Sequence, residues 1–214
     1  MDKTIANLRI EYALQGLSET EVDLNPFIQF KRWFDQALAA QLFEPNTMTL
    51  ATATPIGKPR ARMVLLKDFD KRGFVFYTNY NSQKGQELVE NPQVGLVFWW
   101  AELERQVRIS GLVERVSENE SDEYFRSLPW NSRLIAWASN QSEVIERREV
   151  IEQRFQQLQT KYQNQDIPRP CYCGCFRVIP TEIEFWQGCP SRLNDRLLYT
   201  RLDAGSWKIQ RLSP

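Results

Sequence analysis

The sequence predicts an α+β fold, in which an antiparallel β-barrel carries helices at the ends of its strands. Six or more short runs rich in β-branched and aromatic residues, separated by Gly- and Pro-containing turns, predict the strands. Helix-starting signals, Asn25-Pro26 and the pair Ser117 and Glu120, lie before and between these runs. Strands with helices inserted at their ends are typical of a barrel with helical covers.

Two helices are predicted before the first strand. A short N-terminal helix spans about residues 4–13. The second helix begins after Asn25, because asparagine caps helix N-termini well and Pro26 suits the first helical position. Its apolar residues keep helical spacing to about residue 42, so an N-terminal helical segment occupies about residues 1–45.

A meander of strands is predicted next, followed by a short helix and two further strands. The meander strands are TMTLATAT (47–54), RARMVLLK (60–67) and FVFYTNY (74–80), with turns at PIGK and DKRG. A helix over residues 82–90 ends at Asn91-Pro92, and the strands VGLVFWW (94–100) and ERQVRISGLVERV (104–116) follow it. The short turns favour antiparallel pairing of neighbouring strands.

The last part of the chain combines two helices with a β-rich end. Ser117 and Glu120 form a capping box that opens a helix stopping at Pro129, and Ser142 is predicted to cap a longer helix. The apolar stripe of the longer helix consists of Ile151, Phe155, Leu158 and Tyr162. The final strands are CFRVIP (175–180), EIEFWQG (182–188) and the hairpin LLYTRL-DAGS-WKIQRL. We expect one domain over residues 1–214.

Composition argues against several classes of partner. Lys plus Arg number 27 and Asp plus Glu number 27, so the balance gives no electrostatic case for nucleic acid or a membrane surface. The longest apolar run, VGLVFWWA, is too short to span a bilayer, and no apolar segment follows the N-terminal residues. We expect a cytoplasmic protein whose zero net charge offers little resistance to self-association.

The chain has no histidine, which removes the commonest general base and metal ligand. Its four cysteines are Cys171, Cys173 and Cys175 in the run CYCGC, and Cys189. Structural zinc sites usually need C-x-x-C pairs, and thiols two apart on one strand face are poorly placed for a disulfide. Of the three interpretations, the sequence favours reduced thiols that fill core space over zinc or a disulfide.

Cations cluster where an anion could bind. Arg62 and Lys67 lie five apart on one predicted strand and leave it on opposite faces, while Lys84 lies at a helix start. Near the C-terminus, SRLNDR places Arg192 and Arg196 four apart, which suits either a bidentate oxyanion or surface salt bridges to Asp195 and other acids. The spacing alone favours the salt bridges. Arg62, Lys67, Thr78 and the helix start with Lys84 together predict a phosphate site on the barrel rim.

Several ordered motifs resemble one family. They are RMVLLKDFDKRGFVFYTNYNSQKGQELVENP, LERQVRISG, ASNQS, and IEFWQGCPSRLNDRLLY through WKIQRLSP. From LRIEY onward the chain resembles the pyridoxamine 5′-phosphate oxidase family. The resemblance implies an FMN-binding split β-barrel of Greek-key type that forms a homodimer with two FMN molecules at the interface. It also implies oxidation of pyridoxine or pyridoxamine 5′-phosphate to pyridoxal 5′-phosphate, with FMN as hydride acceptor and dioxygen as oxidant.

The family's functional residues match positions throughout this chain. The implied FMN contacts, some from the partner chain, are Arg62, Met63, Val64, Leu65, Leu66, Lys67, Tyr77, Thr78, Gln83, Lys84, Gln106, Gln141, Ser142, Trp186 and Arg196. The implied substrate contacts are Arg9, Tyr12, Lys67, Tyr124, Ser132, Arg192 and Asn194, of which Arg192 and Asn194 are the catalytic candidates. No metal site is implied.

The departures from the family pattern concentrate on the substrate side. Asn194 replaces a histidine in R-L-H-D-R, and Leu128 replaces an arginine in Y-F-x-S-R-P. Losing a charged partner of a phosphate costs about 2–5 kcal/mol unless another cation replaces it. Gln83 stands where many members have arginine. Trp130, Arg133, Ile135 and CYCGC are also atypical.

The sequence leaves open whether Arg126 or Arg133 supplies the missing cation. Two alternatives to the family's reaction therefore stand. One is the same flavin chemistry on a different, unphosphorylated aromatic amine or alcohol. The other is a protein that binds flavin or B6 phosphates without turnover.

Overall fold

We describe a computed structural model, which covers residues 11–13 and 16–214. Its helices are α1 (Pro26–Ala39), α2 (Gln83–Glu90), α3 (Glu118–Ser127), α4 (Trp130–Ala138) and α5 (Glu149–Lys161). Its strands are β1 (Thr47–Ala53), β2 (Pro59–Asp70), β3 (Gly73–Asn79), β4 (Gln93–Trp100), β5 (Arg105–Arg115), β6 (Cys173–Gln187), β7 (Asp195–Arg201) and β8 (Trp207–Arg211). The helix predicted over residues 4–13 falls largely outside the described residues, and residues 11–13 are not helical.

The strands form one sheet that closes into a barrel. Their order is β3-β2-β1-β4-β5-β6-β7-β8, and an additional β3–β6 pairing closes the first six strands. In that antiparallel pairing Phe74 lies opposite Val178, and Asn79 lies opposite Cys173. Strands β7 and β8 extend the sheet beyond β6. The predicted antiparallel barrel with peripheral helices is confirmed.

The chain divides into two compact units, each built from separate segments. The first unit comprises Met1–Leu50, Gly95–Gly111 and Pro180–Pro214, and the second comprises Ala51–Val94 and Leu112–Ile179. The core of the first unit is aromatic, with ring centroids 5.1 Å apart for Phe30 and Phe98 and 5.2 Å apart for Trp33 and Phe185. These contacts pack α1 against β4 and β6.

Helix α1 begins as predicted and ends earlier than predicted. The Asn25 side chain accepts a hydrogen bond from the Phe27 amide, and Pro26 is the first helical residue. The helix ends at Ala39, three residues before the predicted end, because Gln41 adopts a left-handed conformation with φ 54°. The amide of Leu42 then donates to the Ala37 carbonyl, which satisfies one of the terminal acceptors.

Helices α3, α4 and α5 pack together in the second unit. Their buried cluster consists of Phe125, Leu134, Tyr162 and Ile167. Phe155 and Leu158 of the predicted stripe on α5 pack against this cluster. The capping box at the start of α3 is present, since Ser117 and Glu120 each accept from the other's amide.

Three elements differ from the sequence prediction. Helix α4 was not predicted, and the helix assigned to a Ser142 cap begins only at Glu149, because Ser142 has φ 77° and lies in a turn. The two strands predicted over 175–180 and 182–188 form the single strand β6. Pro180 is tolerated there because it lies between the residues paired with β3 and those paired with β7.

Candidate functional site

The second unit contains a cavity of about 400 Å³ between β2, β3 and the helices. Many of the residues that line it were predicted from the sequence as cofactor or substrate contacts: Met63, Val64, Leu65, Lys67, Tyr77, Thr78, Lys84, Tyr124, Ser132 and Gln141. The cavity therefore brings together residues from six separate parts of the sequence. Its volume is within the range of small-molecule sites.

Strand β2 supplies one wall of the cavity and is irregular at Lys67. Leu66 pairs with Phe76 and Asp68 pairs with Val75, so Lys67 is an extra residue in this strand. Strict alternation already places Met63, Leu65 and Lys67 on one face of β2, so Val64 is the lining residue of this strand that alternation does not explain. Leu66 is buried and is not among the lining residues.

Arg62 lies on β2 but outside the cavity lining. Its guanidinium donates to Thr52 Oγ1 at 2.7 Å and to Glu87 Oε2 at 3.1 Å. Glu87 also accepts from Arg60 and, at 2.6 Å, from the Thr52 hydroxyl, although its side chain is only 5% exposed. The predicted phosphate contact is thus held by a buried carboxylate, which sequence reasoning had not singled out.

The start of α2 contributes Lys84 to the cavity lining. Ser82 caps the helix, and Lys84 Nζ donates to Gln141 Oε1 at 2.7 Å. The amide of Gln83 donates to Ser142 Oγ at 3.3 Å. Burial lowers the pKa of Lys84, and the positive charge of Arg62 lowers it further. Lys84 therefore lies at a helix N-terminus, as predicted from the sequence.

Tyr77 and Tyr124 form the aromatic side of the cavity, with ring centroids 5.0 Å apart. Lys67 Nζ lies 5.6 Å from the centre of the Tyr124 ring, within cation–π range. Burial raises the pKa of Tyr124 to about 12. The Tyr77 hydroxyl is buried without a hydrogen-bond partner among the described residues, although Cys173 lies beside it. A buried hydroxyl in this state is suited to a ligand.

The substrate-side departures line the same cavity. Leu128 and Ile135 both contribute to it, together with Ala136 and Ser139. Neither candidate replacement for the missing cation is a lining residue: Arg133 donates to Asp166 at 2.7 Å, and Arg126 Nε donates to the Asp122 carbonyl. Lys67 and Lys84 are the lysines among the lining residues.

The remaining predicted contacts that the structure describes belong to the first unit. The Trp186 ring lies 5.6 Å from that of Tyr12 and 6.0 Å from that of Trp99. Gln106 on β5 is half-buried. Arg9 lies outside the described residues.

One of the salt bridges to Asp195 and other acids considered from the sequence is present, but its partner is the buried Glu184 rather than Asp195. Arg196 pairs with Glu184 at 2.8 Å, whereas Asp195 accepts from Arg211 and from the Leu17 amide. Arg192 is exposed in a left-handed conformation with φ 63°. The Asn194 side chain accepts from the Cys189 amide at 3.1 Å, which closes the short turn that contains Arg192.

The cysteines are free thiols, as predicted. Cys173, Cys175 and Cys189 are buried, and burial raises the pKa of Cys173 and of Cys175 to about 11. The prediction that all of CYCGC fills core space is wrong for Cys171, which is exposed because β6 begins only at Cys173. Among the described residues, no group of three His, Cys, Asp or Glu side chains could hold a metal ion. None of the described helices is long and apolar enough to cross a membrane.

Sequence reasoning missed several lining residues and both buried glutamates. Asn79, Ser139 and Cys173 line the cavity beside residues that were predicted. Asn79 directly follows Thr78 in the YTNY motif, which was a usable signal. Glu87 and Glu184 carry no such signal, because a carboxylate on a predicted helix or strand is normally solvent-exposed.

Comparisons with known proteins agree across the whole chain. Residues 34–162 match the family model described as pyridoxamine 5′-phosphate oxidase, and residues 174–214 match the pyridoxine 5′-phosphate oxidase C-terminal dimerisation region. A pyridoxine/pyridoxamine 5′-phosphate oxidase of Nostoc punctiforme is 74% identical over the full length of both chains. One of Paraburkholderia phymatum is 57% identical over 99% of each chain.

Solved structures show the same fold. The crystal structure of PhzG from Burkholderia lata, in complex with tetrahydrophenazine-1-carboxylic acid, is similar with a TM-score of 0.88 and 31% identity. The similarity covers 95% of this chain and 100% of that one. An FMN-binding protein related to pyridoxamine 5′-phosphate oxidase, from Nostoc punctiforme, shares the fold at a TM-score of 0.70 and 17% identity, covering 86% and 97% of the two chains.

Proposed function

The chain belongs to the pyridoxamine 5′-phosphate oxidase family, and from this premise we propose that it is an FMN-dependent oxidase of pyridoxine and pyridoxamine 5′-phosphates. Its product is pyridoxal 5′-phosphate. The observation that carries the proposal is the full-length identity of 74% with a relative named for this activity. The cavity of the second unit supports it independently, because its residues suit both ligands.

The residues that line the cavity fit both the phosphate and the ring of FMN. Lys84 and the α2 N-terminus suit a phosphate, since cations and helix N-termini both stabilise anions. Met63, Val64 and Leu65 supply an apolar wall for a planar ring. The orphaned Tyr77 hydroxyl offers a hydrogen-bonding group in the same cavity.

The substrate phosphate belongs near Lys67, Tyr124 and Ser132. These side chains line the cavity together and offer one cation and two hydroxyls. The family's arginine is absent, because Leu128 occupies its position and Arg133 is held by Asp166. We therefore expect the phosphate to be bound more weakly than in members that keep the arginine.

Catalysis depends on how the chain's residues position the substrate. When bound, FMN supplies the two-electron acceptor for the substrate, and dioxygen restores its oxidised form. Lys67 and Ser132 would anchor one end of the substrate, and Val64 and Leu65 of β2 would offer it an apolar contact. Asn194 cannot take up a proton near neutral pH, but the reaction depends mainly on holding the donor carbon against the flavin, so the missing histidine need not abolish it.

We also propose that the functional unit is a homodimer whose two FMN sites are completed across the interface. The match of residues 174–214 to a C-terminal dimerisation region supports a dimer. That region contains Trp186, Arg192, Asn194 and Arg196. These residues are candidates to reach the partner's cavity.

An aerobic assay tests the proposal directly. Purified protein supplied with FMN should convert pyridoxamine 5′-phosphate to pyridoxal 5′-phosphate and release one hydrogen peroxide per turnover. The absorbance of the product aldehyde and a coupled peroxide assay measure the two yields. Protein that binds FMN but does not reduce it with either B6 phosphate under anaerobic conditions would refute the proposal.

One observation favours a second candidate, the same flavin chemistry on an unphosphorylated aromatic amine or alcohol. Leu128 and Ile135 make the cavity more apolar than the family pattern. The structurally similar PhzG was crystallised with an aromatic carboxylic acid that has no phosphate. Anaerobic flavin reduction can be compared for pyridoxamine 5′-phosphate, pyridoxamine and tetrahydrophenazine-1-carboxylic acid. The second candidate function requires that one of the two ligands without phosphate reduces the flavin faster than pyridoxamine 5′-phosphate does.

A further inference from the structure

Glu184 on β6 is a buried carboxylate that binds two arginines. Its side chain is 7% exposed, and Oε1 accepts from Arg196 Nε at 2.8 Å. Oε2 accepts from Arg196 Nη2 at 3.2 Å and from Arg108 Nη1 at 3.1 Å. A carboxylate is stable in such a position only when it is paired, and here the fork-to-fork geometry fixes the plane of the Arg196 guanidinium.

The C-terminal tail holds Arg196 from another direction. The Ser213 carbonyl accepts from Arg196 Nη1 at 3.0 Å, and the Leu212 amide donates to the Arg196 carbonyl at 2.9 Å. The tail is positioned by β8, whose Arg211 lies opposite Leu197 of β7. All three guanidinium nitrogens of Arg196 therefore have a partner in the described structure.

The Arg196 guanidinium nevertheless remains accessible to solvent. The Arg196 side chain is 25% exposed, and an arginine has five N–H donors, of which these contacts use three. Arg192, four residues earlier, lies exposed in a turn. A residue held in one orientation with donors to spare is suited to bind a ligand with little loss of conformational entropy.

We propose that Glu184 and the C-terminal tail, Ser213-Pro214, position Arg196 for the flavin cofactor. The inference rests on the proposed function, because that proposal makes Arg196 an FMN contact. Glu184 and Ser213 themselves act only through Arg196. Without the carboxylate, Arg196 and Arg108 repel each other and Arg196 samples other rotamers.

A double-mutant cycle on the holoprotein tests the inference. The variants are Glu184→Gln, Arg196→Ala and the double variant, and the dissociation constant of FMN is obtained by diluting holoprotein and following flavin fluorescence. We expect Glu184→Gln alone to raise this constant about tenfold. In the Arg196→Ala background, Glu184→Gln should change the FMN dissociation constant less than twofold, because the arginine that Glu184 positions is absent.

The tail provides an independent variant that leaves every strand intact. A chain ending at Leu212 loses the Ser213 carbonyl contact while β8 keeps its pairing. We expect it to weaken FMN binding several-fold, and again only when Arg196 is present. Glu182→Gln is the matched control, since Glu182 lies exposed on the same strand, opposite Thr200.

Three results would overturn the inference. One is an equal loss of FMN affinity from Glu184→Gln with and without Arg196. Another is a loss that accompanies a fall in dimer mass by light scattering, which would give Glu184 a structural role. The third is unchanged FMN affinity in Arg196→Ala. In that last case the proposed function still stands if the wild-type protein oxidises pyridoxamine 5′-phosphate.

Discussion

Lys84 is the cation whose surroundings in the cavity are best defined. It lies one residue inside α2 and donates to Gln141, which also lines the cavity. Lys84→Ala should raise the FMN dissociation constant roughly 10- to 100-fold, because a charge-assisted bond to the phosphate is lost. Lys71→Ala, which removes an exposed lysine at the β2–β3 turn, is the control for net charge. Equal effects of the two substitutions would contradict a specific phosphate site.

Arg62 differs from Lys84 because it has a structural partner. Arg62→Ala removes a contact to Glu87 as well as the predicted cofactor contact. We expect it to lower both FMN affinity and the melting temperature of the FMN-free protein, whereas Lys84→Ala lowers mainly the affinity. Thermal unfolding of both variants measured without FMN separates these two contributions.

Leu128 and Asn194 are the two departures with separable kinetic consequences. Leu128→Arg returns a cation to the cavity and should mainly lower KM for pyridoxamine 5′-phosphate, because phosphate is held equally in ground and transition states. Asn194→His returns a titratable group and should act mainly on kcat. Steady-state kinetics of both variants measure the split. Loss of activity in both would mean that the cavity does not follow the family plan.

The exposed Cys171 separates the thiol interpretation of CYCGC from the zinc interpretation. Cys171→Ser should leave the FMN content and the melting temperature unchanged, because this thiol fills no core space. Metal analysis of the wild-type protein should find no stoichiometric zinc. One zinc per chain, lost in the variant, would contradict the described arrangement of free thiols.

At the scale of elements, Glu87 ties α2 to β1 and β2. Burial alone would raise its pKa, but hydrogen bonds from Thr52, Arg60 and Arg62 outweigh burial and hold the pKa below its usual value of 4.5. A carboxyl with a lowered pKa stabilises the folded state above its unfolded-state pKa, and this contribution is lost as the pH falls.

The pH dependence of unfolding should reveal this carboxylate. Glu87→Gln should reduce stability at pH 7, and the difference from the wild type should shrink as the pH falls below about 4.5. Unfolding followed by circular dichroism between pH 3 and 7 measures this. Glu90→Gln, an exposed position on the same helix, is the control. A difference that stays constant with pH would contradict the assigned ion pairs.

Helices that begin with a recognisable capping residue were predicted correctly, whereas a helix without one was missed. The Asn25 cap and the Ser117 capping box have specific side-chain hydrogen bonds, and both helices start as expected. Helix α4 follows Pro129, which has no side-chain cap, so its start had no signal. Ser142 was wrongly predicted to be a helix cap, because a serine hydroxyl accepts hydrogen bonds from backbone amides in turns as well as at helix starts.

Many of the residues that line the cavity could be named from the sequence, but their arrangement could not. Strict alternation placed Arg62 and Lys67 on opposite faces of a strand, but the bulge at Lys67 depends on how β2 pairs with β3. The pairing of Arg62 with Glu87 is equally non-local. Such contacts join residues far apart in the sequence, so neither residue spacing nor composition predicts them.

At the scale of the whole molecule, closure of the barrel depends on the pairing of β3 with β6. Phe74 and Val178 meet across that seam, although they are separated by several intervening elements. Sequence patterns supplied the strands and their antiparallel sense, while the family resemblance supplied the split-barrel architecture. The proposed dimer requires this closure, because each subunit must fold its own barrel before the partner subunit can complete its FMN site.

A homodimer with shared sites predicts complementation between two defective variants. Lys84→Ala impairs the cavity of the second unit, and Arg196→Ala impairs a residue of the first unit. If the two residues of one site come from different chains, a mixed dimer has one site with both defects and one intact site. Random subunit exchange should then restore about a quarter of the wild-type activity, because half of the dimers are mixed.

Light scattering and activity after mixing the two variants measure this outcome together. The mass should remain that of a dimer throughout, since a zero net charge does not oppose pairing. Each variant incubated alone under the same exchange conditions is the control. Recovery would place Lys84 and Arg196 of one site on different subunits, because residues from a single chain would leave every site in a mixed dimer with one defect. A monomer that still binds FMN tightly would contradict the shared site altogether.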